Sequence, residues 1–215
     1  MAYDHDEQEQ LDKLKAWWNQ YGNLVTWLLI IALSAYAGWT GWNYYQRTQA
    51  IQASQLYEEL QKSLEAKDQV KVQRVATDMQ DKFGGTAYAQ MSALAAAKAA
   101  FDAGDLATAK KQLQWAIDNG QDEEYKAIAK LRLAGILLDE KAYDQALKLL
   151  SGDFPAAFSG AVEDRKGDIL MAQEKPAEAR QAYQAALEKT DQRSPGRQLI
   201  QLKVDAIGGA AKSAA

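Results

Sequence analysis

The chain has 215 residues, a formal net charge of -4 and a mean hydropathy of -0.44, and its sequence contains no cysteine. Without cysteine, disulfides, thiol catalysis and cysteine-ligated zinc are excluded, while the redox state of the compartment stays open. Residues 1–15 carry five acids and two lysines, so the rest of the chain is nearly neutral and lacks the basic stripe that nucleic-acid binding requires.

The first 20 residues are interpreted as an acidic cytoplasmic tail. The chain's only histidine, His5, falls in this tail. Polar, charged segments of this kind do not bury enough apolar surface to fold, so His5 is predicted to lack the ordered neighbours that metal binding or proton transfer needs. The sequence therefore predicts no metal site and no cofactor here.

The following segment is predicted to cross a membrane. Residues 16–46 carry no charged side chain, and the apolar part runs from Leu24 to Trp42. At about 1.5 Å per residue a helix of this length spans the roughly 30 Å hydrocarbon core. We therefore assign residues 21–46 to a transmembrane signal anchor. Aromatic residues near its two ends are typical of interfacial belts: Trp17, Trp18, Tyr21, Trp39, Trp42, Tyr44 and Tyr45.

Two alternatives to a retained anchor are a cleavable signal peptide and the buried core helix of a soluble domain. A signal peptide has a basic start and a short core of about 7–15 apolar residues, whereas this chain starts acidic and its apolar segment ends in bulky side chains.

The charges on either side of the segment favour a cytoplasmic N-terminus, because Lys13 and Lys15 precede it and Arg47 follows it. In a bacterium this gives a single-pass inner-membrane protein whose C-terminal domain is periplasmic.

Small residues within the segment lie on one helical face. Ser34, Gly38 and Gly41 follow the spacing i, i+4, i+7. Such a face lets a second helix approach closely, so it is a candidate docking face for a partner's transmembrane helix. Glycine is also common in membrane helices for other reasons, and the sequence leaves both interpretations open.

Residues 47–207 are predicted to form an all-α domain. Apolar residues recur at helical spacing over about 50–64 and 72–83, where Gly84 and Gly85 stop the second helix. A final helix is expected near 197–207, and residues 208–215 are expected to be a flexible tail. No run of useful length alternates with the period of a strand.

An internal repeat is the more specific signal in this domain. Small residues recur at Ala97, Ala134 and Gly167, at intervals of 37 and 33 residues. Twelve and sixteen positions later stand a second alanine and a large apolar residue: Ala109, Ala146, Ala179, and Leu113, Leu150, Tyr183. The spacing resembles the tetratricopeptide repeat, although the usual aromatic residue and closing proline are missing. It predicts three helical hairpins in a solenoid.

No constellation of catalytic residues is found in the sequence. Asp122, Glu123 and Glu124 are interpreted as acids that open and cap a helix rather than as a catalytic pair. Trp115 lies well off the apolar stripe of its own helix, so it is covered by the first helix of the next repeat or exposed as an anchor for a partner. We therefore expect a binding protein without enzymatic activity.

The whole chain resembles the YfgM-like family, the ancillary subunit of the SecYEG translocon. The resemblance rests on the acidic N-terminus before Lys15-Ala16-Trp17-Trp18 and on the span that closes in Gly41-Trp42-Asn43-Tyr44. It continues through AIAKLRLAGILLDEKAYDQALKLL, PAAFSGAVEDRKGDILMAQEKPAEARQAYQAAL and the terminal QLIQLKVDAI.

The resemblance implies an N-terminal single transmembrane helix followed by a periplasmic tetratricopeptide-like domain. It also implies association with the SecYEG translocon and with PpiD, a membrane-anchored periplasmic chaperone of the parvulin type. In this interpretation the protein is a scaffold that helps pass translocated polypeptides to periplasmic chaperones. The alternative is a regulator that binds a signalling protein of an envelope-stress response.

Overall fold

The computed structural model describes the backbone of residues 3–212 and the side chains of residues 9–208. These residues form nine α-helices, one short 3-10 helix (Ala156–Phe158) and no strand, which confirms the predicted all-α class. The α-helices are α1 Tyr3–Glu65, α2 Gln69–Phe83, α3 Ala87–Asp102, α4 Leu106–Asn119, α5 Glu123–Asp139, α6 Tyr143–Leu150, α7 Ser159–Ala172, α8 Pro176–Lys189 and α9 Gly196–Lys212.

The chain is divided into two compact units, with the boundary between Gln49 and Ala50. The described part of the first unit lies within α1. The apolar stretch that is long enough to cross a membrane has exposed side chains. A core helix of a soluble protein buries its apolar residues, so the core-helix alternative is wrong for this segment. By length and composition the helix is sufficient to cross a membrane, and it is the one candidate among the described residues.

The second unit consists of stacked antiparallel hairpins. The three predicted hairpins are confirmed as α3 with α4, α5 with α6, and α7 with α8. Asp105 and Asp122 begin α4 and α5 by accepting hydrogen bonds from backbone N–H groups of the first turn. The hydrogen bonds from Thr108 lower the pKa of Asp105, because they favour its ionised form. Asp122 thus has the capping role that the sequence predicts.

The end of α1 and α2 form a further hairpin of the same kind. In each described hairpin turn one residue has a positive φ, and the next N–H group bonds to the carbonyl oxygen five residues earlier. This arrangement satisfies carbonyl groups at the end of the first helix. The positive-φ residues are Lys67 (54°), Gly104 (81°), Lys141 (61°) and Glu174 (60°).

The sizes of the facing side chains explain why the first hairpin does not show the repeat pattern of the other three in its sequence. In three hairpins a small residue on the first helix faces a large one sixteen positions later, whereas the first hairpin reverses the order. Both arrangements place one large and one small side chain at the crossing between the helices. The pairs are Ala97 with Leu113, Ala134 with Leu150, Gly167 with Tyr183, and, reversed, Leu60 with Ala76.

Helix α9 packs on the last hairpin. Ile200 and Val204 are buried against α8 residues that include Tyr183. The helix extends to Lys212, past residue 208, where we expected a flexible tail to begin. Two glycines at 208 and 209 weaken a helix by about 1 kcal/mol each, but unlike proline they keep the N–H groups that continue it. Residues 213–215 lie outside the described part of the chain.

Candidate binding groove

A groove of about 410 Å³ runs across the first helices of the three predicted repeats. Its lining comes from α3, α5 and α7, with one residue from α4 in its floor. Because these helices hold corresponding positions in successive hairpins, the groove is a consequence of the repeat and needs no inserted loop. The lining residues are Ala97, Lys98, Phe101, Asp102, Leu113, Arg132, Gly135, Ile136, Asp139 and Arg165.

The apolar part of the groove combines a buried floor with one exposed ring. Leu113 and Ile136 are almost completely buried, whereas Phe101 at the rim is 46% exposed. Phe101 stands four positions after Ala97, the small residue of its repeat. The corresponding residues of the next repeats are Leu138 and Met171, and Met171 is also exposed. A large apolar residue thus recurs at the end of each first helix.

Two arginines from neighbouring helices line the same groove. Arg132 and Arg165 occupy corresponding positions, each two residues before the small residue of its repeat. The guanidinium group of Arg165 lies over Gly135, whose added Cβ would be 3.7 Å from its Cζ atom. Arg132 donates one hydrogen bond of 3.3 Å to the carbonyl oxygen of Leu94. Gly135 thus provides the space in which Arg165 reaches the groove.

The carboxylates beside Arg165 are bound mainly from the other side. The ammonium group of Lys203 on α9 lies 2.7 Å from both Asp164 and Asp168 on α7. The Tyr183 hydroxyl donates to Asp168 over 2.8 Å, and burial, followed by that hydrogen bond, raises the pKa of Tyr183. Arg165 is only loosely paired, at 3.8 Å from Asp168. Its positive charge is therefore partly available to the groove.

Trp115, the candidate for partner binding, is half-buried. It packs against a cluster of Ala53, Met79 and Ala89, contributed by α1, α2 and α3, and also against the central core. An added Cβ at Gly84 would lie 3.7 Å from its ring. The Trp115 ring is thus covered partly by the preceding helices and partly by the central core, to which α5 also contributes. Partner binding by the remaining exposed part stays a prediction.

The candidate transmembrane docking face is a row of small residues on α1. Ser34, Gly38 and Gly41 are exposed on α1, and an added Cβ at either glycine would meet no atom within 4 Å. The helical geometry places all three on one side of α1. Nothing in the described structure tests a docking role, which stays a prediction.

Neither a metal site nor a catalytic cluster emerges from the described residues. Within them no group of three or more His, Cys, Asp or Glu is placed to hold a metal ion, and the side chain of His5 lies outside the described set. Glu163 on α7 is a partly buried acid with a structural role. Burial opposes its charged form, but hydrogen bonds and positive charge from Lys189 and Lys166 outweigh that effect and lower its pKa.

The stacked hairpins define a helical-repeat protein of the tetratricopeptide class. A family model described as a tetratricopeptide repeat-like domain matches residues 15–209, which include most of the apolar helix and the whole repeat region. No solved structure matches the chain.

Three full-length relatives carry the name ancillary SecYEG translocon subunit. The Neisseria gonorrhoeae protein is 34% identical over 96% of this chain and 100% of its own length. The Haemophilus influenzae protein is 28% identical over 89% of this chain and 94% of its own length. The Escherichia coli protein is 27% identical over 95% of this chain and 98% of its own length. The chain therefore belongs to this YfgM-like family of tetratricopeptide repeat-like proteins.

Proposed function

We propose that this protein is a non-enzymatic, membrane-anchored scaffold of the SecYEG translocon. In this role it helps pass translocated polypeptides to periplasmic chaperones, together with PpiD. The groove carries the proposal, because an open, partly apolar surface on rigid helices is suited to reversible peptide binding. The names of the full-length relatives support the association with the translocon. Anchoring raises the local concentration of groove and client, so weak contacts suffice.

Site-specific photo-crosslinking in membranes tests this function. A photoreactive phenylalanine analogue at Phe101 is expected to crosslink to polypeptides in transit and to PpiD. The matched control carries the analogue at Lys111, which is exposed on α4. Lys111 lies about 200° around the helix from Leu113, which lines the groove floor. Equal crosslinking from both positions would refute a role for the groove.

The orientation belongs to the same proposal. We place the N-terminus in the cytoplasm and the repeat domain in the periplasm, on the basis of Lys13 and Lys15 against Arg47. Reporter fusions at the C-terminus, one active only in the periplasm and one only in the cytoplasm, test it. Activity of the cytoplasmic reporter alone would contradict the proposal and would favour a cytoplasmic regulator.

The transmembrane helix is proposed to contact the channel through Ser34, Gly38 and Gly41. Replacing these three residues by leucine is expected to abolish crosslinks between the span and the translocon, because bulky side chains prevent close helix approach. The control is Ala32→Leu, which lies about 160° away from Ser34 around the helix. Unchanged crosslinking of the triple variant would count against this face.

Trp115 is proposed as a second, peripheral partner contact. The substitution Trp115→Phe keeps an aromatic ring against Met79 and Ala89 while it removes the indole N–H group. Loss of a partner crosslink with little change in melting temperature supports a contact. A large fall in melting temperature for Trp115→Ala, with crosslinks retained at lower temperature, would show that Trp115 only packs.

A further inference from the structure

We propose that the groove recognises an extended peptide segment in which an acidic side chain lies two or three residues from a large apolar one. The inference rests on the proposed function, since it specifies the chemistry of the client that the groove accepts. Three observations support it: two guanidinium groups with few contacts inside the protein, an exposed aromatic ring, and the offset between their positions along the helices.

The two arginines select for negative charge. Arg132 and Arg165 converge on one groove from neighbouring helices, and their contacts within the protein are one 3.3 Å hydrogen bond and one 3.8 Å ion pair. Two guanidinium groups that share a groove repel each other, and a carboxylate between them relieves that repulsion and accepts hydrogen bonds from both. The acids of α7 do not fulfil this role fully, because Lys203 holds Asp164 and Asp168.

The opposite end of the groove does not select for a second acid. Lys98 pairs with Asp102 at 2.5 Å, so this pair is already neutral. Asp139 also lines this end, and it forms no salt bridge among the described side chains. The groove is therefore positive near Arg132 and Arg165 and is neutral or negative near Phe101, where an apolar side chain stacks on the exposed ring.

The distance between the two ends sets the spacing of the recognised residues. Phe101 corresponds to Leu138, which lies six positions after Arg132, so the backbone positions that carry the ring and the guanidinium group are offset by about 9 Å along the helix direction. An extended peptide covers about 3.3 Å per residue, which gives two or three residues between the apolar and acidic side chains.

The proposed client is an extended segment because it comes from a translocating chain. Its backbone groups are not yet paired in secondary structure, and its side chains are free to reach the apolar and the positive parts of the groove separately.

Binding of labelled peptides to the full-length protein in nanodiscs tests the inference. The probe is a fluorescein-labelled Gly/Ser peptide, blocked at both ends, with one leucine and one glutamate three residues apart. Comparison peptides replace glutamate by glutamine, move it seven residues away, or replace the side-chain acid by a free C-terminal carboxylate. We expect the blocked acidic peptide to bind about tenfold more tightly than the glutamine peptide and to lose this preference at high salt.

Substitutions in the protein locate the preference. Arg132→Gln and Arg165→Gln are each expected to weaken binding of the acidic peptide about tenfold and to leave the glutamine peptide unchanged. Phe101→Ser is expected to weaken both peptides. The control is Arg180→Gln, the same chemical change at an exposed position of α8 that does not line the groove. Arg132→Lys and Arg165→Lys, which keep the charge, are expected to recover part of the preference.

Several results would overturn the inference. These are equal binding of glutamate and glutamine peptides, an Arg180→Gln effect as large as those in the groove, or tight binding only of the peptide with the free C-terminal carboxylate. If these results occur while Phe101 still crosslinks to translocating chains, the acidic preference is refuted and the proposed function stands. If the Phe101 crosslinks are also absent, the proposed function fails with it.

Discussion

The pairing of Gly167 with Tyr183 predicts that adding one methyl group destabilises the last hairpin. A Cβ built on Gly167 would lie 2.4 Å from Cε1 of Tyr183 and 2.5 Å from Cδ1. Nonbonded carbon atoms pack at about 3.5–4.0 Å, so the ring must move by more than ~1 Å. Tyr183 is only 3% exposed, and its hydroxyl group is bonded to Asp168. The ring therefore has little freedom to move.

The expected magnitude combines two opposing effects. Overpacking a dense core costs about 1–3 kcal/mol, whereas replacing glycine by alanine inside a helix gains about 1 kcal/mol. We expect Gly167→Ala to lower the free energy of unfolding by about 1 kcal/mol net. In a Tyr183→Leu background the same substitution is expected to be stabilising, because alanine facing leucine is the arrangement of the two preceding hairpins. The coupling between the two sites is then about 2 kcal/mol.

Thermal unfolding of the four proteins of this double-mutant cycle, followed by circular dichroism in detergent, measures the coupling. For a domain of this size 1 kcal/mol corresponds to about 2–4 °C. The matched control is Gly135→Ala in α5, where the added Cβ would meet Arg165 at an ordinary 3.7 Å and a gain in stability is expected. If Gly167→Ala stabilises the wild-type protein as Gly135→Ala does, or has the same effect in both Tyr183 backgrounds, the packing argument is wrong.

Three further predictions concern turns, buried polar contacts and pH. Glu174→Gly is expected to raise the free energy of unfolding by about 1 kcal/mol, because glycine adopts a positive φ without strain. Gly104→Ala is expected to lower the free energy of unfolding by a similar amount, because it introduces that strain. Melting temperatures of the two variants that move in the same direction would contradict this. Gln90 is 1% exposed and exchanges two hydrogen bonds with the backbone of Asp122, so Gln90→Leu is expected to lower the free energy of unfolding by about 1–3 kcal/mol, measured by urea unfolding against the exposed control Lys111→Leu. Because the pKa of Glu163 is lowered in the folded state, its charge contributes stability that is present above the ordinary pKa of 4.5 and is lost as pH falls through the lower folded value. The difference in melting temperature between the wild-type protein and Glu163→Gln is therefore expected to shrink at acidic pH. A difference that stays constant with pH would refute this role.

The sequence alone was sufficient for the helices, for an apolar helix long enough to cross a membrane, and for three of the hairpins. Helical periodicity, Asp122 as an N-cap and the recurrence of Ala97, Ala134 and Gly167 depend on local geometry, which successive residues encode directly. The same signals place Ser34, Gly38 and Gly41 on one face, because a single helix fixes the angle between its own residues. What such a face binds is a property of a second molecule, so its role stays a prediction.

The groove was missed in the sequence although its signal is present. Phe101, Arg132 and Arg165 occupy fixed positions relative to the small residue of each repeat, so an alignment of the hairpins shows which residues share a face. Which of those faces remains open to solvent depends on how hairpins stack and on where α9 covers them. Exposure is a property of that packing, and the order of residues within one helix does not encode it.

The first hairpin shows most clearly which features the sequence determines and which depend on tertiary packing. Sequence patterns predicted two helices at about 50–83 but not their membership of the repeat, because Leu60 and Ala76 reverse the small and large residues of the other hairpins. A well-packed core requires that the facing side chains together fill the crossing between the helices. Either helix can supply the larger side chain. The sequence determined that helices form here, and only tertiary packing made them a hairpin of the same class.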